Sequence, residues 1–172
     1  MTQALIGLSK TQVTGATAVP DFRLGTIAGF DDPTLGYQEF VYGRADGAIT
    51  GAGYVCGEET GFDFKLLTTT TAAAAGVSGP GSRVGVAMAA LADNEYGWFQ
   101  IYGKGSVRTA ASDAAGSQQF TTGTGGVIDD AVAGSALFGI RIGTATGGAE
   151  ATNADFYLCY PHVGLVSGGA SF

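Results

Sequence analysis

Histidine is nearly absent from this chain, with His162 standing alone among 172 residues. A Ser-His-Asp triad or an imidazole-rich metal site would have to be built around that one side chain. It follows Pro161 at the end of an expected strand, and no Gly-x-Ser-x-Gly motif accompanies it. His162 therefore reads as a strand-end or interface residue. Cys56 and Cys159 are the only thiols, too few for a disulfide framework or a zinc spacing. They read as reduced, partly buried small hydrophobes of a chain made in a reducing cytoplasm, with a single bridge closing a long loop as the alternative.

Charge is scarce as well. Charged residues make up 13% of the chain, against roughly 25% in ordinary globular proteins. The 15 acids outnumber the 8 bases, for a net charge of -7, which opposes the attraction behind most non-specific nucleic-acid binding. The five arginines and three lysines are scattered, so neither nucleic acid nor an anionic membrane is an expected partner. The apolar stretches fall short of the ~20 residues of a membrane-spanning helix. The first ten residues lack the basic start and long apolar core of a secretory signal.

Glycine is plentiful, at 30 residues, and 45% of the chain is hydrophobic, so a polar disordered chain is not expected. A chain of this length buries roughly 70% of its unfolded surface without needing staples. Residues 1–34 mix threonine, alanine, glycine, Pro20 and Pro33 without a sustained period, and read as an extended N-terminal arm. Its few anchors, Leu5, Ile6, Val19, Phe22 and Phe30, allow two outcomes: ordering on another subunit, or folding back as an edge strand.

Residues 35–172 read as a single β domain. Tyr37, Glu39 and Val41 alternate with Gln38, Phe40 and Tyr42, a period of two that marks a strand. Asp46-Gly47 predicts a turn, with Ala48 to Val55 returning antiparallel and 62–67 completing a meander. The run Thr68 to Gly76 reads as a strand end passing into a loop, and Gly79-Pro80-Gly81 as a firm break. Arg83 to Ala89 places Val84, Val86 and Met88 on one face, and only glycine and alanine on the other, where a neighbour could approach closely. Residues 111–135 read as a long loop with one or two short strands. Phe138, Ile140 and Ile142 align in one later strand, and Phe156, Leu158 and Tyr160 in the last. The expected fold class is all-β, an antiparallel barrel or sandwich, jelly-roll-like, of roughly eight to ten short strands with no convincing amphipathic helix.

Chemistry is hard to find. The acids cluster as Asp31-Asp32, Glu58-Glu59 and Asp129-Asp130, sequence neighbours that do not supply two carboxyls opposed across a cleft. Asp93-Asn94-Glu95 lacks the alternating ligands of a calcium loop, and the glycine-rich pieces at 123–126 and 147–148 lack a following Gly-Lys-Ser/Thr. No catalytic residue, cofactor or metal is expected, and the chain does not read as an enzyme.

The densest aromatic segment is Tyr96-Gly97-Trp98-Phe99-Gln100-Ile101-Tyr102-Gly103-Lys104-Gly105, with Trp98 and Tyr102 on one face and Phe99 and Ile101 on the other. Both faces are apolar, so this strand should be sandwiched or covered by a neighbouring subunit. Together with Val84-Gly85-Val86-Ala87-Met88-Ala89-Ala90-Leu91-Ala92, it resembles a recurring pattern in small structural proteins of tailed bacteriophages. Tyr42-Gly43-Arg44-Ala45-Asp46 and Gly51-Ala52-Gly53-Tyr54-Val55 resemble the opening hairpin of such modules.

The resemblance covers about residues 37–165 and implies a head decoration or cement protein on the capsid exterior of a virion. Such a protein would be a homotrimer bound to the major capsid protein, with no catalysis. Leu5, Ile6, Phe22, Phe30, Trp98 and Tyr102 are the candidate subunit or capsid interface. The competing expectation is a glycan- or receptor-binding module of a head fibre or tail.

Overall fold

The computed structural model describes residues 9–74, 78–132, 134–146 and 151–164, of which 151–154 by backbone alone. Ten strands run through them: β1 (Ile27–Asp32), β2 (Gly36–Ala45), β3 (Val55–Glu58), β4 (Asp63–Leu66), β5 (Val84–Ala87), β6 (Tyr96–Thr109), β7 (Gln119–Thr121), β8 (Ile128–Asp129), β9 (Ala136–Ile142) and β10 (Ala151–Val163). One helical turn, α1 (Thr69–Ala73), lies between β4 and β5. The chain is all-β, as expected.

The hydrogen-bonded order is β1-β2-β4-β3-β5-β6-β10-β9-β7-β8, with β2 also pairing β6 and β6 also pairing β8. Each extra pairing closes a ring. β2, β4, β3, β5 and β6 form the first, and β6, β10, β9, β7 and β8 the second, so that the 14-residue β6 belongs to both. Closure leaves few strand edges free, and realises the barrel of the two expected architectures. The β2–β4 and β6–β8 contacts are parallel, which makes the sheet mixed where a wholly antiparallel one was expected. Arg44 clamps the first of these, its Nε and Nη2 donating to the two carboxylate oxygens of Asp63 at 2.8 and 2.6 Å.

β6 serves both rings because it changes partners halfway. Its first half pairs β2, from Arg44 opposite Tyr96 to Phe40 opposite Gln100, and β5 at Phe99 and Gln100. Its second half pairs β10, from Tyr102 opposite Cys159 to Thr109 opposite Ala151. Between the halves Glu39 faces Tyr102 while Phe40 faces Gln100, so Ile101 is an extra residue, a β-bulge that bends the strand. Gly103 then takes φ +94°, where a side chain would run into the Tyr37 carbonyl. The bend turns carbonyls off the ladder, and two buried glutamines collect them. Gln100 Nε2 donates to the carbonyls of Tyr102 and Lys104, both at 3.1 Å, and Gln38 Nε2 donates to that of Lys104.

The first ring encloses Val41, Ala45, Phe64, Ala87, Phe99 and Ile101. Phe64 and Phe99 stack inside it at 4.0 Å between centroids. The small-residue face expected of β5 makes room for them, since a Cβ on Gly85 would stand 2.9 Å from Phe99 Cβ. Val84 and Val86 point the other way, into a larger aliphatic cluster with Val107, Leu137, Ile140, Ile142, Phe156 and Leu158. Trp98, Phe40, Tyr42 and Ala28 form a third cluster on the outer face of β2 and β6. The double apolar face of the aromatic strand is thus sandwiched within one chain.

Residues 9–34 lie against this outer face. Thr14 pairs with Tyr96, each N–H donating to the other's carbonyl at 2.9 Å. Phe22 packs 5.3 Å from both Tyr42 and Trp98, and Phe30 packs 5.7 Å from Phe40. β1 pairs along β2 from Ile27–Val41 to Asp32–Gly36. Leu5 and Ile6 lie outside the described residues.

Met88 leaves the face expected for it with Val84 and Val86 and packs against the Trp98 cluster, and four further local expectations are corrected. Residues 48–54 do not return along β2; Ile49 instead bridges to Leu91, and β3 pairs β4 and β5. The meander fails with it, because β4 lies parallel to β2. The threonine-alanine run forms α1, because Thr68 and Thr71 cap each other: Thr71 N–H donates to Thr68 Oγ1 at 3.1 Å, and Thr68 N–H to Thr71 Oγ1 at 2.8 Å. In β9 the alternation breaks at Gly139, φ +74°, so that Leu137, Ile140 and Ile142 face inward and Phe138 outward.

Candidate functional site: a tyrosine patch on Glu39

The clearest surface feature follows from two irregular strands. In β10, Leu158 faces Ile140 and His162 faces Phe138, so three residues, Cys159, Tyr160 and Pro161, stand opposite Gly139 alone. Pro161 has no N–H to give a ladder and is tolerated at such a bulge. Gly139 must lack a side chain, because a Cβ there would stand 2.5 Å from the Cys159 carbonyl oxygen. Tyr160 takes φ +46°, unusual for an aromatic residue, and leaves the inward row in which it was expected. Backbone strain of this kind collects at functional sites.

The bulge sets Tyr160 over β6 and β2. Its ring lies 5.3 Å from that of Tyr102, and its hydroxyl donates to Glu39 Oε2 at 2.8 Å. Tyr37, on the same face of β2 as Glu39, donates to Oε1 at 3.0 Å, with its ring 6.2 Å from Tyr102. Glu39 sits where the β2–β6 register slips, so the bend of β6 and the bulge of β10 converge on one carboxylate. Tyr37 is 49% exposed and Tyr160 52%, while Glu39 and Tyr102 are half-buried. Both exposed hydroxyls are held above the ordinary phenol range, chiefly by their bonds to Glu39, and stay protonated donors at neutral pH. Among the described residues no lysine or arginine pairs with Glu39.

Tyr160 is also one wall of an open cleft of about 680 Å3, lined further by Glu58, Glu59, Arg83 and His162. It lies at the seam of the rings, where Arg83 bridges His162 and Val163 N–H donates to the Ser82 carbonyl at 3.0 Å. Burial raises the Glu58 carboxyl above its usual range, opposed by Arg83, whose Nε lies 3.4 Å from Glu58 Oε2. Glu59 is likewise raised by burial, with Lys65 Nζ 3.9 Å away acting against it. Among the described residues no group of three His, Cys, Asp or Glu side chains could hold a metal ion, and no helix is long and apolar enough to cross a membrane.

Of the expected interface residues, the four that are described, Phe22, Phe30, Trp98 and Tyr102, fall in three places. Trp98 is 1% exposed beneath Phe22 and presents no surface in the folded chain. Phe22 and Phe30 are half-buried covers of that aromatic cluster. Tyr102 alone joins the patch. Tyr37 and Glu39 share one face of a strand that period two had marked, whereas Tyr160 depends on a bulge whose one sequence signal is the following proline. No protein family, curated protein or solved structure matches this chain.

Proposed function

We propose that this chain is a structural contact protein of a tailed-phage virion, a head decoration or cement protein that binds the outer face of the capsid shell and performs no catalysis. The observation that carries the reading is the tyrosine patch: three neighbouring rings, two of them tied by their hydroxyls to one carboxylate, on a doubly closed β scaffold. Tyrosine offers large contact area with few rotatable bonds, so a patch ordered in advance loses little entropy on binding. The major capsid protein as partner and the homotrimeric form rest on the resemblance of residues 37–165 to small phage structural proteins. A protein that binds the assembled shell and not its dissociated subunits stabilises the shell by mass action, by about 2.7 kcal/mol per site at a hundredfold excess over Kd. Copies arrayed by symmetry add multivalent contact.

The test is cryo-EM of virions, with solution mass for the trimer and thermal release of DNA from capsids with and without the protein. Density on the head exterior and a higher release temperature with the protein present are expected. Density confined to the tail, with glycan binding by the purified protein, would replace this reading by the receptor-binding one.

A further inference from the structure

The hydrogen-bond bookkeeping of the patch narrows what can sit on it. Tyr37 and Tyr160 both donate their only hydroxyl proton to Glu39. What remains facing outward is mostly acceptor capacity, the free lone pairs of the carboxylate and of the phenol oxygens, with the Tyr102 hydroxyl as the one donor of the three not given to Glu39, beside ring faces that carry negative potential. A ligand rich in acceptors, such as a phosphate, a carboxylate or a proline-rich carbonyl ridge, finds there only the single hydroxyl of Tyr102 as a donor, beside the Glu39 carboxylate. The Glu39 carboxylate has no ion-pair partner among the described residues, and the whole chain carries -7. Saccharide hydroxyls could bond to these acceptors but would not neutralise that charge.

We infer that the Tyr37–Tyr102–Tyr160 patch receives a guanidinium, an arginine side chain of the partner protein, stacked on the tyrosine rings and paired with Glu39. Guanidinium is planar, weakly hydrated and stacks on aromatic faces, which a compact ammonium does less well. The chain uses the same contact internally: the Arg108 guanidinium lies 4.3 Å from the centroid of the Tyr54 ring, and that of Arg83 lies 5.9 Å from the centroid of Phe62. The inference rests on the contact-protein reading and names the chemistry of its partner. It can fail while that reading stands.

The experiment is an NMR titration of the full chain, with labelled tyrosine rings, by N-acetyl-arginine amide at low ionic strength. Saturable shifts confined to Tyr37, Tyr102 and Tyr160 are expected. They should be weaker with the lysine analogue, absent with the neutral citrulline analogue, and reduced by added salt. Glu39→Gln should weaken the arginine response about three- to fivefold, with the dispersion of the other resonances confirming the fold. No saturable shift, an equal response to citrulline, or a response to chitooligosaccharide alone would overturn the inference. Normal head density in virions carrying Tyr102→Ala and Tyr160→Ala would overturn the patch as the contact, and with it the guanidinium assignment.

Discussion

The two rings share a strand but are filled by different means. The first is narrow: a stacked Phe64–Phe99 pair occupies its interior, and Gly43 and Gly85 supply the clearance. The second is packed with branched aliphatics, yet four buried side-chain atoms in or beside it have no partner: Thr109 Oγ1, Asp113 Oδ2, Gln119 Oε1 and Ser135 Oγ. Asp113 is fully buried, held by one bond from Gln119 Nε2 at 2.9 Å, and burial raises its carboxyl above the usual range. The interior of the first ring is therefore specified by shape, whereas beside that of the second lies a buried carboxyl, Asp113, that ties its stability to pH.

Removing the shape should have the largest effect. Phe99→Ala is expected to cost about 3–5 kcal/mol, read by chemical denaturation, whereas Ile140→Val in the second ring should cost about 0.5–1.5 kcal/mol. Equal losses would erase the contrast. Overfilling comes next. Gly43→Ala would put a Cβ 2.5 Å from Phe64 Cδ2 and 2.7 Å from the Phe62 carbonyl oxygen. A loss of about 1–3 kcal/mol is expected, partly recovered in the double variant with Phe64→Leu. Failure of the double variant to recover would place the strain in the backbone instead.

Asp113→Asn probes the second ring. Its raised carboxyl means that the native state holds the proton more tightly than the unfolded chain, so stability falls as pH rises from the ordinary carboxylate value toward the folded one. The full penalty is present above the folded value. The variant should therefore be more stable relative to the parent at neutral pH than under acid conditions, in melts across that range. A pH-independent difference would contradict the assignment.

The smallest effect belongs to the patch. Glu39→Gln should change stability by no more than about 0.5 kcal/mol. It should lower the Tyr37 and Tyr160 phenol pKa values toward the ordinary range, followed by phenolate absorbance. An unchanged titration would mean that the two hydroxyls are not bonded to Glu39 in solution.

The sequence was most legible where local pattern and long-range pairing agree. The alternation of Trp98, Phe99 and Ile101 announced a strand covered on both sides, and the small face of 85–89 announced a close neighbour. It was least legible where a distant strand resets the phase. Nothing local in 137–142 says that Gly139 must open to admit the Cys159 carbonyl, or that Tyr160 will leave the core row to meet Glu39. Gln38 and Gln100 looked like ordinary polar positions, and their task appears only once β6 is bent. The threonines of 68–71 act through hydroxyl capping, which β-propensity ignores.

The strand shared by the rings also permits a definite order of events during synthesis. All five strands of the first ring lie between Gly36 and Thr109, whereas the second ring waits for β10, which ends at Val163. The first ring can close on a growing chain before the second has its partners, leaving the far half of β6 as a fixed template on which β10, β9, β7 and β8 assemble. In that order the first ring would act as an internal scaffold for the second, and the convergence of β2, β6 and β10 that builds the tyrosine patch would be completed only in the last step.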